Sequence, residues 1–262
     1  MDLRLPFLSS KNEKLILVKK AVQKLENMLF LTRIKENKLP SQQKTRPVLL
    51  LKPEKLLFRR YPSLFDYKIC IRPFSHLFLF NLAHHYEIIS FVPGTRNEQK
   101  FIYDHLDPYG CISYRLNNEQ IDLNRNYDNL IVIQTEENQW GEKFKKNLLN
   151  VQEWNGKKDE KLFLLDQFLS NLLFVDQSTW SRTIDSYKDL PFFECYNHVQ
   201  KRIFHSRNFF FSNYDNFMKK VRDEKVREFE DAQIVMNEQL LKEKAMSNWI
   251  TPIIGFLKTL IA

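Results

Sequence analysis

The sequence predicts an α/β fold, a Rossmann-like parallel sheet with helical extensions at both ends. Two observations carry that expectation. Short, continuously apolar runs such as VLLL (48–51) and LIVIQ (130–134) alternate with helix-length patterns, and strands apolar on both faces belong to covered parallel sheets. Hydrophobic residues make up 43% of the 262 residues and aromatics 14%, enough for a sizeable core and too much for a disordered chain.

The elements follow in order. In KNEKLILVKKAVQKLENMLFLT, Leu15, Val18, Val22, Leu25 and Leu29 recur three and four apart, which predicts an amphipathic helix with a Lys-rich opposite face. We read it as a helix packed on its own domain or on a partner; Asp2, Glu13 and Glu26 argue against a targeting helix, because transit peptides avoid acids. NKLPSQQKTRP (37–47) is a polar linker with two prolines. Strands are expected at 48–51, 67–71, 86–92, 111–116 and 130–134, with helices at 75–85, 97–106 and 160–174. Past Asp176, FFECYNHVQKRIFHSRNFFF is aromatic and basic without a clean period. From about Asn213 to Met246 a charged helix is expected, with Phe217, Val221, Phe229, Met236 and Leu240 along one side. The chain thus divides into a basic arm and linker (1–46), an α/β domain (47–175) and a helical extension (176–262).

Charge narrows the function. The formal net charge is +8, but residues 1–46 hold 11 Lys and Arg against 4 Asp and Glu, a net of +7, so the rest is almost neutral. A nucleic-acid binder spreads cations over a folded face, so nucleic acid is not an expected partner. Cys70, Cys111 and Cys195 form no C-x-x-C pattern, which argues against a zinc site or a disulfide framework. Only 5 Gly are present, and no G-x-G-x-x-G or G-K-[ST] occurs. No secretory h-region opens the sequence, and no apolar run reaches the ~20 residues needed to span a bilayer. The terminal WITPIIGFLKTLIA suits a groove or an interface, with Trp249, Ile253 and Phe256 as contact candidates beside Leu15, Val18 and Val22 of the arm.

Four stretches resemble one known family. CIRPFSHLFLFNLAHHYEIISFV is similar to a stretch in which R-P-G leads a helix and then Y-Y-E-I-V-x-F. LDPYGCISYRL resembles L-D-P-x-x-x-[IV]-S-Y-R-L, DNLIVIQTEEN a strand L-S-K-V-I-I-I-D-x-x-P, and VQEWNGKKDEKLFLLDQFL a segment P-x-W-x-G-x-x-D-D-x-L. Together they resemble the C-terminal-domain phosphatase-like branch of the haloacid dehalogenase superfamily, over 48 to about 174. Within it, the W-N-G and L-D-P-Y-G stretches look most like the presequence-receptor subunit of the mitochondrial inner-membrane translocase.

The resemblance implies where catalysis would sit. Active members carry D-x-D-x-[TV] after the first strand: a phosphorylated Asp, an acid/base Asp, and Mg²⁺ among carboxylates. Lys52 falls on the nucleophile position, Glu54 on the acid/base and Leu56 on the Thr/Val. Val92 occupies the place of the phosphate-holding hydroxyl, with Thr95 displaced; Ile121 that of the lysine; Gln134 that of a metal carboxylate, with Glu136 near the second acid. Lysine cannot form an acyl phosphate, and Pro53 removes a backbone N–H. His84 and His85 are adjacent on a helix and point about 100° apart, a poor chelate. Asp107 and Asp159 are read as surface or capping acids.

The expectation is therefore a chain that is not an enzyme, with no cofactor and no metal. It would serve as a scaffold, an accessory subunit bound to other subunits of a mitochondrial inner-membrane complex, the respiratory chain first, and to lipid head groups. A divergent presequence receptor and a residual phosphatase are the alternatives.

Overall fold

In a computed structural model of the protein, the described residues are 38–42, 46–62, 67–117, 122–135, 140–188, 190–207 and 213–261, without the side chains of 142 and 242–261. Leu15, Val18 and Val22 of the arm, Ile121 and Glu136 lie outside them, as do the side chains of Trp249, Ile253 and Phe256.

Five strands make one parallel sheet: β1 (Val48–Leu51), β4 (Glu87–Phe91), β5 (Tyr114–Leu116), β6 (Leu130–Gln134) and β7 (Leu148–Asn150), in the order β5-β4-β1-β6-β7. The central strand is apolar at every position because both its faces are covered. Leu49 and Leu51 join one buried cluster, Val48 and Leu50 the other, as the two-residue period of a strand requires. The expected α/β fold with a parallel sheet is thus present.

The helices gather on the first of those faces. α1 (Ser75–Ala83), α2 (Arg96–Leu106), α3 (Lys161–Leu172), α4 (Trp180–Asp185) and α5 (Phe192–Arg207) all contribute to the cluster that holds Leu49 and Leu51. Among the described residues, the opposite face is closed by loop side chains instead, chiefly Leu39, Leu123, Trp140 and Phe144. Trp140 packs edge-on against Phe91 at 5.0 Å and against Phe144 at 5.4 Å. Trp180, Ile184, Phe192, Phe193 and Tyr196 share the sheet's core, so one compact unit runs on past residue 175 to Tyr214.

One expectation needs correction. YKICI (67–71) is a strand, β3 (Tyr67–Ile71), but outside the parallel sheet: it pairs antiparallel with β2 (Phe58–Pro62), a hairpin following the loop after β1. Its five residues are intermediate or exposed, which a central strand of a covered sheet is not. In the extension expected to be helical, the aromatic stretch after Asp176 forms α5 over Phe192–Arg207, and several of its rings stack on the core rather than face solvent. Phe192 lies 5.1 Å from Phe168 and parallel to Tyr196 at 5.7 Å. The second unit is Asp215–Ala262, almost all of α6 (Tyr214–Ile261), a helix of 48 residues. No helix of the described residues is long and apolar enough to cross a membrane.

Candidate functional site

In a parallel α/β sheet, ligands meet the loops at the carboxyl ends of the strands. Lys52, Pro53 and Glu54 leave β1 at that edge, Val92 follows β4, and Gln134 ends β6.

The loop after β1 is a tight turn built by carbonyl sharing. Pro53 O accepts from the N–H groups of Leu56 (3.2 Å), Leu57 (2.7 Å) and Phe58 (3.2 Å), and Lys55 takes a left-handed φ of 63°. Leu56 is fully buried below it. Two of the motif stretches converge on this loop. Trp154, of W-N-G, donates its backbone N–H to Lys55 O at 2.7 Å. Arg72, of R-P, donates its backbone N–H to Leu57 O at 2.8 Å and Nη1 to Leu56 O at 3.0 Å. Asp159, five residues after Trp154, accepts from Arg72 Nε at 3.0 Å and from Nη2 at 2.9 and 3.0 Å. The Arg72 side chain is 1% exposed, and burial lowers its pKa against the pull of Asp159. Gly156 turns the W-N-G loop at φ +86°, where a Cβ would collide with Tyr61 Oη of the hairpin.

At the tip, Lys52 Nζ sits 4.6 Å from the Trp140 ring centroid, a cation–π distance. Glu54 is held in a two-pronged pair by the hairpin: Arg60 Nε donates to Oε1 at 2.9 Å and Nη2 to Oε2 at 2.5 Å. That hydrogen-bonded carboxylate raises the Arg60 guanidinium pKa. Gln134 Oε1 accepts from the Trp140 backbone N–H at 3.0 Å, and its Nε2 donates to Asn150 Oδ1 at 3.2 Å. Val92 is buried, and its carbonyl accepts from Gln99 Nε2 at 2.6 Å. Thr95 caps α2, accepting from the Glu98 N–H while Glu98 accepts from the Thr95 N–H at 2.6 Å.

A hard divalent cation wants several carboxylate or carbonyl oxygens. Here the edge presents an ammonium at Lys52, an amide at Gln134 and one carboxylate already bound by Arg60. No group of three His, Cys, Asp or Glu that could hold a metal occurs among the described residues. Among the described residues, which leave out Glu136, the donor set does not fit Mg²⁺ at Lys52.

Asp107 and Asp159 do more than cap. Asp107 is buried, accepts from the Cys111 and Ile112 N–H groups at 2.6 and 3.0 Å, and pairs with Arg115 Nη2 at 2.9 Å. Burial pushes its carboxyl above the ordinary range, against Arg115 and the two N–H groups. Residue types alone showed these acids; their cationic partners, 8 and 87 residues away in sequence, were visible only once the chain was folded.

The family profile of NLI interacting factor-like phosphatases matches residues 17–179. The chain belongs to this family. Two solved structures are similar at 12% identity. One is Fcp1, an essential RNA polymerase II CTD phosphatase, with a TM-score of 0.34 over 62% of this chain and 57% of that one. The other is a variant of the fission yeast RNA polymerase II CTD phosphatase Fcp1 bound to beryllium fluoride, with a TM-score of 0.31 over 81% and 70%. The chain spans only 57% of the first of these, and no curated protein sequence matches it. Family membership overturns the expectation that the chain is not an enzyme: the domain is phosphatase-like, and its substituted loop tip does not by itself establish loss of activity.

Proposed function

We propose that this phosphatase-like domain works as a scaffold, an accessory subunit of a mitochondrial inner-membrane assembly, with α6 as its docking element and a respiratory-chain complex as the first place to look. The observation that carries the docking role is α6 itself. A helix of 48 residues is about 72 Å long at ~1.5 Å per residue. It exposes Phe217, Ile234, Val235 and Leu241, side chains that would be covered by contact with another protein. The inner-membrane setting is supported by the resemblance of W-N-G and L-D-P-Y-G to the translocase subunit. Lipid head groups are the second candidate contact, through the basic arm.

The test is native purification of the tagged protein in mild detergent, with mass spectrometry of what stays bound at ~0.5 M salt, where surface ion pairs are screened. Stoichiometric respiratory or ATP-synthase subunits would support the reading. Translocase channel subunits would favour a presequence receptor instead, and a protein that comes down alone would sink both.

Family membership favours a second reading, hydrolysis of phosphate esters. Turnover of a small aryl phosphate, with and without divalent metal, tests it; activity abolished by Glu54→Gln would place the chemistry at the loop after β1, and activity unchanged by it would place it elsewhere.

A further inference from the structure

The face of α5 that docks on the core runs on past it. Phe192 and Tyr196 belong to the sheet's core, while Val199 and Ile203, continuing the same face at steps of three and four residues, are 39% and 40% exposed. The end of α3 reaches the same turn of α5: Asn171 Nδ2 donates to Tyr196 Oη at 2.9 Å, and three residues on stands Phe174. At 84% exposure Phe174 is the most exposed large apolar side chain among the described residues, with Val175 beside it at 45%. The turn that presents them is held. The Phe174 and Val175 N–H groups donate to Asn171 O and Leu172 O at 3.1 and 3.2 Å, and the buried Trp180 indole donates to Leu172 O at 2.8 Å.

Charge on this part of α5 has one sign. Between Glu194 and Asp215 lie 20 residues with 3 Lys and Arg, 2 His and no acid. At about 100° per residue, Arg202 and Arg207 stand on either side of the Val199–Ile203 line, about 80° and 60° from it. Both are exposed. Glu194 falls on the far side of the helix and is paired with Lys161 at 3.1 Å.

We infer that Phe174, Val175, Val199 and Ile203 enter an anionic phospholipid surface, with Arg202 and Arg207 on its head groups. A Phe that projects with most of its surface free needs either a matching pocket in a partner or a fluid phase that takes it without one. Cations set on both sides of an apolar stripe are what a helix lying in a lipid interface presents. Asp176, next to Val175, opposes the contact, although its carboxylate already accepts from the Ser178 N–H at 2.9 Å. The inference goes beyond the docking role proposed for α6 and uses neither that helix nor the basic arm.

The probes are vesicles of phosphatidylcholine alone and vesicles with about one third phosphatidylserine, floated with the full chain. Partitioning should be at least about tenfold greater on the anionic vesicles. Because the arm is basic as well, the patch is also read locally. Phe174→Trp should gain blue-shifted emission over the parent on anionic vesicles, quenched by brominated acyl chains, and none in buffer. Phe174→Ser with Ile203→Ser, and Arg202→Glu with Arg207→Glu, should each lower partitioning by about tenfold. Asp176→Asn should raise it by about threefold or more. Circular dichroism of each variant checks that the helices remain.

An introduced indole that brominated chains do not quench, or paired variants that partition as the parent does, would overturn the inference. So would a stoichiometric protein partner, or self-association, that Phe174→Ser with Ile203→Ser abolishes while the indole stays unquenched; the patch would then belong to a protein contact.

Discussion

Replacing Asp159 by Asn removes one charge and almost no volume, so it isolates what the Arg72 ion pair does. Three guanidinium–carboxylate contacts of 2.9–3.0 Å are involved, and the Arg72 side chain is 1% exposed. Arginine cannot shed its proton at any ordinary pH, so the change leaves a buried cation facing an amide. Removing one partner of a buried pair costs about 3–5 kcal/mol. Asp159 keeps 23% exposure, which lets water reach the site and places the expectation at about 3 kcal/mol, the low end of that range. For a unit of this size that is a fall of roughly 6–12 °C in Tm. Urea unfolding followed by far-UV circular dichroism reads the difference at constant m. Arg72→Met with Asp159→Leu removes both charges, leaves the Leu56 carbonyl short of a donor and the Lys161 N–H short of an acceptor, and should recover roughly 1–2 kcal/mol of the loss. A single variant within about 0.5 kcal/mol of the parent, or a double variant that simply adds the two single effects, would refute the reasoning.

Three further outcomes are expected. Gly156→Ala should destabilise by about 1–2 kcal/mol in urea unfolding, from left-handed strain and displacement of Tyr61, and Tyr61→Ala should relieve only the second part. Asp107→Ala leaves the Cys111 and Ile112 N–H groups without their acceptor and Arg115 without its carboxylate, and should cost about 2–4 kcal/mol by the same measurement. Tyr86, Tyr103 and Tyr196 have phenol pKa values raised above the ordinary value, chiefly by burial. The folded state holds those protons when the unfolded chain loses them, so stability is intact below about pH 10 and falls as pH rises beyond it, by up to ~1.4 kcal/mol per pH unit for each phenol. Tyr86→Phe and Tyr103→Phe should flatten that fall, and tyrosinate absorbance should appear together with unfolding.

Much of the sheet was legible because its chemistry is local. VLLL and LIVI are apolar throughout, and a short apolar run bounded by turn residues is consistent with a covered strand. The hairpin was not legible: FRRYP has two arginines and a proline, and its place is set by Arg60 reaching Glu54 and by Tyr61 lying over Gly156. β7 escaped notice because three residues carry no period, and it is held by pairing with β6. At the site, the positions of Lys52, Glu54, Val92 and Gln134 could be read from the motifs. What each side chain touches could not, since Trp140, Arg60 and Asn150 are brought to them by the fold.

The central strand also dictates an order of events as the chain emerges from a ribosome. Val48 is paired on one side with Glu87 and on the other with Leu130, partners made 39 and 82 positions later. At roughly 5–20 residues per second, VLLL waits some 4–16 s after its own synthesis before its second neighbour exists. For that interval an apolar ribbon with open edges is presented to solvent or to a chaperone.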